Sequence, residues 1–218
     1  MNTSNTFIVP KLARPINSQV DINVAVMASG EGSNFENLVK HFHLQHKSRI
    51  RIKLLIVNKP QANAINRARN LGIKSTLLDN SLYLTRECHE KEIIKLCTEN
   101  KIDLLVMAGW MRVATDVLIN SYKDRIINVH PSLLPSFPGT ASVEQAINSG
   151  VKITGATVHI VTNKVDNGPI LAQGAVEINQ TDTKQTLLNK IQEIEHLILP
   201  IGLNLLAKEW IRIKDRNY

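Results

Sequence analysis

The alternation of short aliphatic runs with amphipathic helical patterns constrains this chain most. "NVAVMA" (Asn23 to Ala28), "RIKLLIVN" (Arg51 to Asn58), "KSTLL" (Lys74 to Leu78), "DLLVMA" (Asp103 to Ala108) and "RIINV" (Arg125 to Val129) read as strands. Helical stretches between them are expected to begin near Ser33, Gln61, Thr85 and Thr115. Such alternation is the pattern of a parallel sheet covered by helices. The expected fold is α/β and Rossmann-like, a mostly parallel twisted sheet with helices on both faces.

The last third changes character. "ASVEQAINSG" reads as a helix closed by Gly150, and "TGATVHIVT" and "GPILAQGAVEI" as two strands joined by a polar turn, which gives the sheet an antiparallel C-terminal portion. A final helical pattern begins near Thr183 and places Leu187, Leu188, Ile191, Ile194 and Ile198 on one apolar face. Pro200 is expected to bend or restart it.

With 218 residues and 43% hydrophobic content, the chain can bury a core as one domain, expected over residues 21–218. Residues 1–20 lack the continuous apolar run of a secretory signal or a membrane span, and are expected to form a loosely ordered arm. The net charge of +7 favours anionic partners without choosing among them. Aromatic residues make up only 4%, so stacking platforms for single-stranded nucleic acid are scarce. Cys88 and Cys97 show neither a CxxC pattern nor a His partner at metal-ligand spacing, which suits a reducing, cytoplasmic compartment and predicts no metal.

Two stretches carry chemistry. "SGEGSN" (Ser29 to Asn34) follows the first strand and opens a helix, so Gly30 and Gly32 let backbone approach a ligand beside a helix N-terminus. Phosphate is the natural guest, although the same residues suit a plain capped turn. Phe35 stands where the third glycine of GxGxxG would fall, which disfavours a nicotinamide cofactor. In "RIINVHPSLLPSFPG", Asn128 and His130 leave the same face of a strand end, the edge where open parallel sheets bind ligands. An amide NH2 and an imidazolium form a donor pair for a carbonyl oxygen that becomes negative under attack. Taken alone, the pair could equally satisfy loop carbonyls.

The wider sequence is more specific. "NVHPSLLPSFPG" followed by "GATVHIVTNKVDNGPILAQ" resembles the signature of the folate-dependent formyltransferases, and "SGEGSN" resembles the branch that acts on glycinamide ribonucleotide. The resemblance spans about Asn23 to Lys208. It implies transfer of the formyl group of 10-formyltetrahydrofolate, a co-substrate, to the amine of glycinamide ribonucleotide in purine synthesis. Catalytic roles are implied for Asn128, His130 and Asp166, and contact with the phosphorylated substrate for Gly32, Ser33, Asn34, Gln192 and Glu195. Folate contacts are implied for Arg86, for Met111, Arg112, Val113 and Ala114, for Asn128, and for Thr162, Asn163, Lys164, Val165 and Asp166. The expected partners are these two small molecules, with neither nucleic acid nor membrane, in a monomer or homodimer.

The chain also departs from the family. Many members carry one or two histidines after the "PG" of the proline loop, where this sequence reads "FPGTASVEQA", and Glu31 is a charge where a neutral residue is common. Two relatives by chemistry compete. A formyltetrahydrofolate deformylase shares the Asn, His and Asp types but normally adds an N-terminal regulatory domain, and a methionyl-tRNA formyltransferase adds a C-terminal tRNA-binding domain. A silent phosphosugar or nucleic-acid binding protein is the rival from another class.

Overall fold

Along the first long aliphatic run, Val24, Val26 and Ala28 bury into one core while Ala25 and Met27 bury into another. A strand apolar on both faces needs a layer on each side, and the chain supplies both. The computed structural model describes residues 6–11, 20–43 and 48–216. Its strands are β1 (Phe7–Val9), β2 (Ile22–Ala28), β3 (Ile50–Val57), β4 (Lys74–Leu77), β5 (Leu104–Met107), β6 (Ile126–His130), β7 (Ile153–Ile160) and β8 (Ile170–Glu177). Its helices are α1 (Ser33–Leu38, continued by a π-helical turn over Val39–His43), α2 (Ala64–Asn70), α3 (Arg86–Glu99), α4 (Asp116–Ser121), α5 (Ser142–Asn148) and α6 (Lys184–Arg216).

All eight strands form one sheet in the order β1-β8-β7-β6-β5-β2-β3-β4. β2 to β6 are parallel, and β7, β8 and β1 add on antiparallel, so the expected mixed α/β architecture is the one observed. One core lies between the sheet and α1, α2 and α6, and the second between the sheet and α3 and α4. Ile126 belongs to the second core. By the two-residue period, Asn128 and His130 leave the same face of β6 as Ile126, toward α3 and α4.

Three expectations are corrected. Within the segment expected to be a loosely ordered arm, Phe7–Val9 pairs antiparallel with β8, bringing Ile8 opposite Gly174; residues 12–19 lie outside those described. Leu188 was expected on the apolar face of the last helix, but is 37% exposed, while Leu187, Ile191, Ile194 and Ile198 are at most 2% exposed. Pro200 does not restart that helix, which runs unbroken through it from Lys184 to Arg216. Proline withdraws the N–H that would serve the carbonyl four residues back, that of His196. That carbonyl instead accepts a 2.7 Å hydrogen bond from Asn37 Nδ2 near the end of α1, so the missing partner comes from a neighbouring element.

Candidate active site

The antiparallel addition of β7 to β6 builds the centre of the site. Register places His159 opposite Asn128 and Thr157 opposite His130. The chain then leaves β7 in a loop that returns Asp166 to the same place. Asp166 has φ +49°, and Gly168 passes so close to β7 that a Cβ there would lie 1.7 Å from the Ile160 carbonyl oxygen. Only glycine fits that approach.

Four groups converge on the Asp166 carboxylate. The Gly139 N–H donates to Oδ2 at 2.8 Å, His130 Nδ1 lies 3.3 Å from Oδ2, and Asn128 Nδ2 and His159 Nε2 each lie 3.5 Å from Oδ1. Burial opposes the charge on Asp166. The His159 contact, the Gly139 N–H and the charges of His130 and His159 nevertheless hold its carboxyl below the usual carboxylate range. Through the Gly139 amide, "FPGTAS" touches Asp166 by backbone.

The other ring nitrogen of His130, Nε2, faces the Phe137 carbonyl at 2.9 Å. A carbonyl only accepts, so Nε2 carries the hydrogen of this bond. The carbonyl contact occupies Nε2, so Nδ1 is the ring nitrogen that faces Asp166. Ser132 Oγ donates to the Ser136 carbonyl at 2.6 Å, and Thr157 Oγ1 donates to the Ser132 carbonyl at 2.7 Å. Gln173 Nε2 donates to the Leu134 carbonyl and to Thr157 Oγ1. These side chains from β7 and β8 brace the proline loop.

A second cluster joins α1 to α6. Gln192 Nε2 donates to Ser33 Oγ at 2.8 Å, and Asn34 Nδ2 to Glu195 Oε2 at 2.7 Å. Burial pushes the Glu195 carboxyl up to about 7, with the Asn34 N–H only partly opposing it. Among the described residues, Asn34 Oδ1 is buried without a partner. Gly32 has φ +74°, and a Cβ on it would lie 2.6 Å from that of Ala64, so its turn and its packing both require glycine. The first intrahelical bond runs from Glu36 N–H to the Gly32 carbonyl, which leaves the earlier N–H groups pointing outward. Glu31 turns toward α2, where Asn63 Nδ2 donates to its carboxylate at 3.0 Å and Arg67 Nε to its carbonyl at 2.7 Å.

The remaining sequence-predicted residues lie in the loops after β5 and β7 and at the start of α3. Met111 and Val113 are 72% and 48% exposed, Ala114 packs on the second core, and Arg112 is half-buried. Met111 N–H donates to Ser29 Oγ at 2.9 Å, which ties this loop to the end of β2. Asn163 Nδ2 reaches Asp116 Oδ1 at 2.6 Å, and Thr162 Oγ1 donates to the Lys164 carbonyl, while Val165 is exposed. Arg86 is exposed at the start of α3. Sequence reasoning missed His159, Thr157 and Gln173. Thr157 and His159 alternate in "TVHIV" with the same two-residue period as Asn128 and His130, and that period was the available signal.

The open sheet thus carries a donor pair and a carboxylate at the carboxyl end of β6, the edge where such sheets bind ligands. Residues 22–203 match the family model described as "Formyl transferase", and the chain belongs to that family. It is 41% identical over 186 residues to "Phosphoribosylglycinamide formyltransferase" of Bacillus subtilis (strain 168), covering 83% of this chain and 95% of the relative. It also resembles the crystal structure of phosphoribosylglycinamide formyltransferase from Bacillus halodurans, with a TM-score of 0.80, 41% identity and coverage of 84% and 94% of the two chains. Glycinamide ribonucleotide transformylase 1 from Symbiobacterium toebii gives a TM-score of 0.85 at 33% identity, covering 88% and 90%.

Proposed function

We propose that the protein transfers the formyl group of 10-formyltetrahydrofolate to the amine of 5-phosphoribosylglycinamide, an early step of purine biosynthesis. The convergence of Asn128, His130 and the Gly139 N–H on Asp166 carries this reading, together with family membership. The reaction forms a bond from the substrate amine to the formyl carbon and breaks the bond from that carbon to the folate nitrogen. A proton passes from the attacking nitrogen to the departing one.

The residues present fit both substrates. Exposed Met111, Val113 and Val165 offer apolar surface to the folate rings, and Arg86 and Arg112 offer charge to its carboxylates. The outward N–H groups of Gly32, Ser33 and Asn34 suit a phosphate. Glu195 and the unpaired Asn34 Oδ1 are acceptors for the glycinamide N–H groups. Holding amine and formyl carbon in contact supplies on the order of 7 kcal/mol of the barrier.

Asn128 Nδ2 and His130 Nδ1 face the Asp166 carboxylate at 3.5 and 3.3 Å, at the loose end of the hydrogen-bonding range. Donors held this loosely can turn to the oxyanion that forms on the formyl group, and each contributes about 3–4 kcal/mol to its stabilisation. Asp166 orients the His130 ring and, through a water, carries the proton between the two nitrogens. The test is the rate of tetrahydrofolate release with and without glycinamide ribonucleotide. Release is expected to depend on the amine and to saturate with it; release at the same rate without amine means hydrolysis.

A further inference from the structure

α3 gives the cleft more than its exposed first residue. Glu90, one turn further on, is buried at 5% exposure, yet its carboxylate is fully engaged by another helix. Oε1 accepts the Thr115 N–H at 2.8 Å, and Oε2 accepts the Thr115 hydroxyl and, at 3.3 Å, the Leu118 N–H. These groups open α4, so a carboxylate from α3 caps the positive end of α4. The neighbouring His89 lies parallel to Trp110, with ring centroids 6.0 Å apart and 4° between planes, and its Nε2 is bound to the Leu78 carbonyl at 2.9 Å.

Two adjacent residues of α3 therefore hold both ends of the Met111–Ala114 stretch, His89 through Trp110 before it and Glu90 through Thr115 after it. The connection continues across the cleft. Asp116, beside the capped Thr115, accepts the Asn163 amide at 2.6 Å, and Asn163 belongs to the loop that ends at Asp166.

We propose that Glu90 is a positioning residue for the formyl donor: by capping α4 it sets the Met111–Ala114 loop and, through Asp116 and Asn163, the loop that carries Asp166. This inference rests on the folate assignment made above. The role needs a carboxylate. Both Glu90 oxygens face a backbone N–H, so a glutamine in either orientation sets its NH2 against a donor.

The test is steady-state kinetics on the full chain with both substrates varied, together with tetrahydrofolate binding followed by Trp110 emission in a Trp210→Phe background. In Glu90→Gln the KM for formyl folate and the Kd for tetrahydrofolate are expected to rise about tenfold, as for loss of a hydrogen bond to a charged group. The KM for the phosphorylated amine should stay within about twofold, and Glu90→Asp should recover part of the loss. Asp116→Ala, at an exposed position, should raise the formyl-folate KM by a smaller factor with an unchanged Tm. It decides the matter if Glu90→Gln does not fold. An unchanged folate KM in the folded Glu90→Gln protein, an equal rise in both KM values, or, should that variant not fold, an unchanged folate KM in Asp116→Ala, overturns the proposal. Failure of tetrahydrofolate to bind the wild-type chain is a separate result, which overturns the folate assignment and the proposal with it.

Discussion

Asp166 accepts the Gly139 N–H and faces two imidazoles and an amide, so its removal should disturb chemistry more than binding. Asp166→Asn keeps the shape but loses the charge that pairs with His130. Asn128→Ala removes one donor. Each is expected to lower kcat by at least a hundredfold, about 3 kcal/mol, while the KM for formyl folate changes far less; near-normal turnover in either variant would remove that residue from the mechanism. Glu195 makes a different prediction, about pH. Its folded pKa of about 7 lies above its ordinary 4.5. Its contribution to stability is therefore fully present below 4.5 and is lost as pH rises through 7, because the unfolded chain ionises first. Chemical denaturation of the ligand-free protein should show Glu195→Gln gaining on the wild type by on the order of 3 kcal/mol between pH 4.5 and 8. A difference that does not change with pH would mean that this carboxyl titrates normally.

Among the elements, α6 shows what sequence can and cannot reveal. Its apolar period gave the buried face of Leu187, Ile191, Ile194 and Ile198 correctly, because helical spacing is local. Its continuity through Pro200 was not legible, since the group that relieves the proline, Asn37, lies 159 residues away from His196 in sequence. The energetic consequence is specific. Asn37→Ala leaves the His196 carbonyl unpaired and should cost about 1–3 kcal/mol of stability. In a Pro200→Ala background the helix regains its own N–H donor, so the same substitution should cost markedly less. Equal costs in the two backgrounds, measured as a double-mutant cycle, would show that the Asn37 bond does not compensate for the proline. The same limit on local reading hid His159, which reaches Asn128 only through the β6–β7 register.

Across the whole molecule, the parallel strands bring Asn128 and His130 to the carboxyl edge of the sheet, and the antiparallel hairpin of β7 and β8 brings Asp166 back to them. The helical layers then add the outer parts, α1 with α6 for one cluster and α3 with α4 for the other. The strands, their order of appearance and the Asn, His and Asp types were legible because each rests on short-range pattern or on a motif. The braces were not: Gln173, Thr157, Glu90 and the Gly139 N–H act through contacts that exist only once the sheet is assembled. One chemical question spans all of it, whether this assembly delivers a formyl group to an amine or to water. The direct measurement is the fate of labelled formyl from 10-formyltetrahydrofolate in a single turnover with glycinamide ribonucleotide bound. The label is expected on the glycinamide amine with only traces as formate; label appearing as formate at a comparable rate would contradict the account.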